Sequence, residues 1–164
     1  MTMAYDFMFD ALHGVPLPLS AWQGRPILIV NTASQCGFTK QYAALQQLWL
    51  NYRGRGLMVL GVPCNDFGKQ EPGDAKTIDE FCTRNFGVDF PLTAKYHVLG
   101  RQAHPFYQWA NTWAGFIGSP KWNFHKYLIG PQGQLIDWYS SITPPDSPGI
   151  TGMIEYLLTM EKTS

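Results

Sequence analysis

Pro26-Ile-Leu-Ile-Val-Asn31 is the stretch that decides the fold. It is short, apolar and β-branched, the pattern of a strand covered on both faces rather than one with a solvated side. Leu57-Met-Val-Leu-Gly-Val62 repeats that pattern. Between the two runs Tyr42, Leu45, Leu48, Trp49 and Tyr52 recur at helical spacing, and Gly54 and Gly56 punctuate the end of that helix. Strand, helix and strand within about forty residues make a βαβ unit, which implies parallel strands and a right-handed crossover.

Working outward, Pro63 to Asp74 is a polar loop punctuated by Gly and Pro. Ile78, Phe81, Cys82 and Phe86 then form a second helical stripe, and Phe90-Pro91-Leu92 starts an extended segment. His104 to Trp113 reads as a helix, with Phe106, Trp109, Ala110 and Trp113 on one face. Lys126-Tyr-Leu-Ile129 and Leu135-Ile-Asp-Trp-Tyr139 are strands, and Gly130-Pro-Gln-Gly133 is the hairpin turn between them. Ile150, Met153, Ile154, Leu157 and Leu158 predict a closing amphipathic helix. The order βαβ, helix, ββα is that of a thioredoxin-like α/β sandwich, a central mixed sheet flanked by helices. At 164 residues the chain is expected to form a single domain over 1–164. A domain of that size buries enough surface to need no metal or disulfide staple.

Composition narrows the function. Lys+Arg and Asp+Glu number 12 each, so the net charge of +0 gives no electrostatic footprint for nucleic acid or anionic lipid. The apolar runs are far shorter than the ~20 residues of a membrane span. The N-terminus lacks a basic region followed by an apolar one, so no secretory signal is read and a cytoplasmic location is expected. Three cysteines, Cys36, Cys64 and Cys82, are too few and too widely spaced for a zinc site or a C-x-x-C pair. In a reducing compartment thiol chemistry is transient and catalytic rather than structural. The plainer alternative is three small buried apolar side chains.

Ligand sites in open α/β sheets form beyond the carboxyl ends of parallel strands. Asn31-Thr-Ala-Ser-Gln-Cys36-Gly-Phe-Thr39 and the loop from Pro63 to Gly73 occupy that position and are expected to share one edge. Cys36 stands in a turn entering a helix, where free N–H groups and the helix dipole favour an anion, here a thiolate. Gly37 allows close backbone approach, and Thr39 is placed to cap the helix.

Asn31-Thr-Ala-Ser-Gln-Cys-Gly-Phe-Thr39, Val62-Pro-Cys-Asn-Asp-Phe-Gly-Lys-Gln-Glu-Pro-Gly73 and Trp122-Asn-Phe124 resemble the three signature segments of the glutathione peroxidase family. The resemblance extends through Phe81-Cys82, Asn85-Phe-Gly-Val-Asp-Phe-Pro91 and His104-Pro105 to the closing strand-strand-helix. It implies that Cys36 is the peroxidatic residue, in place of selenocysteine, and that Gln70, Trp122 and Asn123 are its catalytic partners. Their amides and indole N–H are neutral donors suited to stabilising a thiolate and a departing hydroxide. The thiolate attacks a peroxide and becomes a sulfenic acid, with no metal and no organic cofactor. In subfamilies reduced by thioredoxin a resolving cysteine lies in the helix after the second loop. Cys82 stands there, so the resemblance implies a Cys36–Cys82 disulfide recycled by thioredoxin. Cys82 is on the packed face of its helix, so that disulfide requires the helix to open locally. Cys64 reads as structural.

Three departures from the family pattern matter. Asp66 stands where a Gln is commoner and, facing inward, would oppose ionisation of Cys36. His125 follows Trp-Asn-Phe where an acidic residue is usual. The Trp113 to Trp122 stretch is short, resembling the monomeric branch with an open site for lipid hydroperoxides, and no basic cluster is present for glutathione, which favours thioredoxin. His13 and His97 read as surface residues and His104 as the start of a helix. Two rival readings remain: a peroxide-sensing relay passing its disulfide to a partner protein, and a binding module with inert cysteines. A general disulfide oxidoreductase is disfavoured because no second Cys follows Cys36 by three residues.

Overall fold

The computed structural model describes residues 1–163, and Ser164, the last residue of the expected domain, lies outside them. Two three-residue strands, β1 (Met8–Asp10) and β2 (Pro16–Pro18), pair antiparallel as a small hairpin. They are followed by β3 (Ile27–Thr32), α1 (Gln41–Tyr52), β4 (Met58–Pro63), α2 (Ala75–Phe86) and α3 (Pro105–Gly118). The chain closes with β5 (Lys126–Ile129), β6 (Leu135–Tyr139) and α4 (Pro148–Thr163).

The main sheet has the order β4-β3-β5-β6. β3 and β4 run parallel in the register Ile27↔Met58 to Thr32↔Pro63, while β5 runs antiparallel to both β3 and β6. The expected mixed sheet is therefore present, with α1 spanning the parallel crossover. Every residue of β3, β4 and β5 is buried, which explains why these runs lack polar alternation.

Strand alternation sorts the side chains into two cores. Leu28, Val30, Val59 and Leu128 pack with Tyr42 and Leu45 of α1, Ile78 and Cys82 of α2, and Ile154 and Leu157 of α4. Ile27, Ile29, Leu60 and Tyr127 face the other way, onto Phe106, Tyr107 and Ala110 of α3 and onto Phe9 and Trp22 of the N-terminal segment. Each fully buried side chain of this size contributes roughly 1.5–3 kcal/mol. The extended segment expected at Phe90 lies against β4. Gly61 donates to Pro91 O at 3.0 Å and accepts from Thr93 at 2.9 Å. A Cβ at Gly61 would come within 2.6 Å of the Leu92 side-chain tip, so a larger residue there would make that side chain shift.

Two boundaries differ from expectation. α3 continues past Trp113 to Gly118 across a break at Gly115, whose φ of 76° is open to glycine alone at little strain. The β1–β2 hairpin carries no sequence signal, because three-residue strands are too short for periodicity and Pro16 and Pro18 suit only an edge.

Candidate active site

Because β3 and β4 are parallel and in register, their following loops leave the sheet side by side. Cys64 N–H donates to Thr32 O at 2.9 Å, and Gln35 N–H donates to Gln70 O at 2.9 Å. The residue before Cys36 is thus tied directly to the second loop.

Cys36 is 8% exposed. Its Sγ accepts from the Phe38 N–H at 3.3 Å and from the Trp122 indole Nε1–H at 3.2 Å. Two N–H groups from distant parts of the chain are thus aimed at one sulfur. Thr39 does not cap α1: its Oγ1 accepts from Cys36 N–H and donates to Ala33 O, both at 2.9 Å, so it closes the loop around the sulfur. The N-cap position belongs to Lys40, which makes no side-chain cap. The sulfur is therefore served by an amide of the preceding turn, not by the first turn of α1.

Trp122 is held from β3. Asn31 Nδ2–H donates to Trp122 O at 3.1 Å, and Asn31 O accepts from Phe124 N–H at 2.6 Å. The indole packs on Phe67 with centroids 6.0 Å apart, and a Cβ at Gly68 would come within 3.0 Å of it. Gln70 and Asn123 are brought together, with Asn123 Nδ2–H donating to Gln70 Oε1 at 2.9 Å. Their amides bond each other, while the side-chain donor on Sγ is Trp122. The two non-glycine residues with positive φ among the described residues flank this pair: Lys69 (φ 52°) precedes Gln70 and Phe124 (φ 66°) follows Asn123. Left-handed backbone at a bulky residue persists only where the surroundings enforce it, and such strain gathers at functional sites.

Cys82 lies on the inner face of α2, 1% exposed, in the same apolar cluster as Cys36. Burial pushes its thiol up to about 11, with Tyr42 opposing and the charges of Glu71 and Asp79 adding to the rise. All three cysteines are free. Cys64 is wholly buried and pushed up to about 12, chiefly by burial.

Asp66 does not act on Cys36 through a bond. It pairs with His97 Nδ1 at 2.5 Å and accepts from Val98 N–H at 2.8 Å. Burial alone would raise its carboxyl, but these partners hold it below its ordinary value. His97 and His13 are exposed, and His13 pairs with Asp79 at 3.0 Å. His104 is the N-cap of α3, its Nδ1 accepting from Phe106 N–H at 3.0 Å. His125 is buried beside Trp138 and driven down to about 4 by burial. Among the described residues no cluster of three His, Cys, Asp or Glu is placed to hold a metal ion.

Sequence reasoning missed three polar residues here: Asn31, Glu71 and Lys126, each 1% exposed or less. Asn31 breaks an apolar run at a strand end, which was its one available signal. Glu71 in a Gly/Pro loop and Lys126 at a strand start both read as solvated until the topology buries them.

Comparisons with known proteins bear on the family and the fold. The family model described as glutathione peroxidase matches residues 4–111. A glutathione peroxidase-like peroxiredoxin of Schizosaccharomyces pombe is 45% identical over 148 residues, covering 89% of this chain and 94% of its own. A hydroperoxy fatty acid reductase of Synechocystis is 44% identical over 162 residues, covering 94% and 95%. Among solved structures, Trgpx in its apo form superposes with a TM-score of 0.79 at 34% identity, covering 96% of each chain. The fold is thioredoxin-like.

Proposed function

The chain belongs to the glutathione peroxidase family, and from that premise we propose how its own residues run a thiol peroxidase cycle. The Cys36 thiolate attacks the terminal oxygen of a hydroperoxide. The O–O bond breaks, the alcohol or water leaves with a proton, and Cys36 becomes a sulfenic acid. Cys82 then displaces that oxygen as water to form a Cys36–Cys82 disulfide. A thioredoxin dithiol reduces the disulfide by exchange. The observation that carries this reading is the pair of N–H donors on Cys36 Sγ, above all the Trp122 indole at 3.2 Å. Gln70 and Asn123, bonded to each other beside it, are assigned to the hydroxyl of the peroxide and the developing oxyanion.

Hydrogen peroxide and organic hydroperoxides are the substrates. Bulky lipid hydroperoxides are included because Phe116 and Ile117, 85% and 77% exposed, give an apolar edge on the chain segment leading into Trp122. The relative named a hydroperoxy fatty acid reductase supports the same substrate class. The working form is a single-domain monomer in a reducing compartment, the cytoplasm; a dimer mass in sedimentation equilibrium would contradict the monomer. No described helix is long and apolar enough to cross a membrane.

The test is a coupled assay with thioredoxin and thioredoxin reductase against glutathione and glutathione reductase. Thioredoxin is expected to support turnover, Cys36→Ser to abolish it, and Cys82→Ser to consume one peroxide without cycling through thioredoxin. Normal thioredoxin-supported cycling by Cys82→Ser removes the resolving role. Turnover by Cys36→Ser removes the nucleophile.

A further inference from the structure

The second loop buries a carboxylic acid that this cycle does not yet use. Glu71 follows Gln70 directly and is 1% exposed. Its backbone N–H is fixed by Asn65 Oδ1 at 2.8 Å, while its own Oε2 makes no hydrogen bond among the described residues. Ser34 is the neighbour that supports the carboxyl, and a buried acid with one oxygen short of a partner is costly to keep.

Its position suggests a use for it. Glu71 lines a cleft of about 290 Å³ together with Ser34, Gln35, Thr77 and Phe81. One wall is the segment that runs into Cys36, and the other is α2, which carries Cys82. The loop presses close on that helix, since a Cβ at Gly73 would come within 2.9 Å of Thr77. Glu71 therefore lines the cleft between the segment that leads into Cys36 and the helix that carries Cys82. An ionised Glu71 is felt both at the Cys82 thiol and at the Tyr42 hydroxyl. The other charged groups facing this cluster are Lys95 on Glu71 and Asp79 on Cys82. Burial shifts the Glu71 carboxyl upward, with Ser34 and Lys95 opposing.

While α2 is closed, burial holds the Cys82 thiol up at about 11, so its proton needs an acceptor when the sulfur attacks. We propose that Glu71 is the proton acceptor of the resolving step. As Cys82 Sγ attacks Cys36 Sγ, its proton passes to the Glu71 carboxylate and the S–O bond of the sulfenic acid breaks. The departing hydroxide takes that proton from Glu71 and leaves as water, and the carboxylate is restored. Cys82 is oxidised and the Cys36 sulfur reduced to the shared disulfide, so no outside electrons enter. The proposal rests on the Cys36–Cys82 reading above.

The experiment follows disulfide formation after a hydrogen peroxide pulse, by rapid quench with thiol alkylation and peptide mass spectrometry, across pH. It uses the full chain as wild type, Glu71→Gln, Glu71→Asp and Cys82→Ser. Wild type is expected to show a rate that rises with pH along an acid limb. Glu71→Gln is expected to slow disulfide formation at least tenfold relative to sulfenic acid formation and to lose that limb. Glu71→Asp is expected to recover part of both. A wild-type profile without the limb, or a folded Glu71→Gln that forms the disulfide at the wild-type rate, overturns the assignment to Glu71. A wild type that never forms a Cys36–Cys82 disulfide overturns the resolving reading itself, so the two failures are distinguishable.

Discussion

At the scale of single residues, the Cys36 sulfur is met by donors delivered from two distant parts of the chain. Phe38 is its neighbour in sequence, but Trp122 arrives from the turn before β5, 3.2 Å away. A hydrogen bond to a charged group contributes about 1.5–3 kcal/mol, so Trp122→Phe is expected to slow Cys36 oxidation by about 10–100-fold. Stopped-flow peroxide kinetics on the reduced protein measure it, and an unchanged rate would show that the indole N–H does not matter. Cys36, Gln70, Trp122 and Asn123 could be singled out as candidates because they sit inside contiguous signature segments, and the fold brings Trp122 to Cys36 and Asn123 to Gln70. Asn31, which anchors both Trp122 O and the Phe124 amide, was not singled out, because its role exists only once β3 and that turn are neighbours. Thr39 shows the opposite limit: a helix-start residue by type, it is recruited by the closer backbone of its own loop.

Among elements, α2 is the one that the proposed Cys36–Cys82 disulfide requires to move. Its periodicity was readable, and Ile78 and Cys82 are its buried residues. Its ends are capped by local chemistry: Asp74 accepts from Thr77 N–H at 2.9 Å, and Gly87 closes the C-terminus at φ 60°. An alanine in that left-handed position costs about 1–2 kcal/mol. Gly87→Ala is therefore expected to raise the open population of the C-terminal turn several-fold and to speed disulfide formation once Cys36 is oxidised. Amide exchange on α2 together with quench kinetics tests this; faster exchange with no faster disulfide would mean that opening is not limiting. The βαβ unit was legible because both strands are buried throughout. The break in α3 at Gly115 was not, since a glycine inside an apolar stretch fits either a continued helix or a kink.

At the scale of the whole molecule, burial of ionisable groups sets the pH response. Lys126 is wholly buried and pushed down to about 7 by burial, its Nζ donating to Ser140 O at 3.3 Å and Thr143 O at 2.5 Å. Below pH 7 folded and unfolded chains both hold its proton and the full penalty applies. Between about pH 7 and 10.5 the unfolded chain holds more protons, so this group makes stability rise with pH. His125, driven down to about 4 from 6.5, acts likewise: its contribution is lost as pH falls through that window. Urea unfolding of Lys126→Met is expected to lose the alkaline part of the rise, and a variant with the wild-type slope would contradict it. The exposed edge of Phe116 and Ile117 belongs to this scale too, because composition gives its hydropathy but not its exposure. Replacing both by Ser is expected to reduce turnover of a fatty acid hydroperoxide several-fold more than that of hydrogen peroxide; equal effects would remove the apolar edge from substrate recognition.

The most direct measurement treats the fully reduced protein with one equivalent of hydrogen peroxide, alkylates the remaining thiols and maps the cysteine peptides by mass spectrometry. The account predicts a bond between residues 36 and 82 with Cys64 alkylated, and a sulfenic acid on Cys36 when Cys82 is replaced by Ser. Cys36 recovered as an alkylated thiol while peroxide disappears, or a bond made through Cys64, would contradict it.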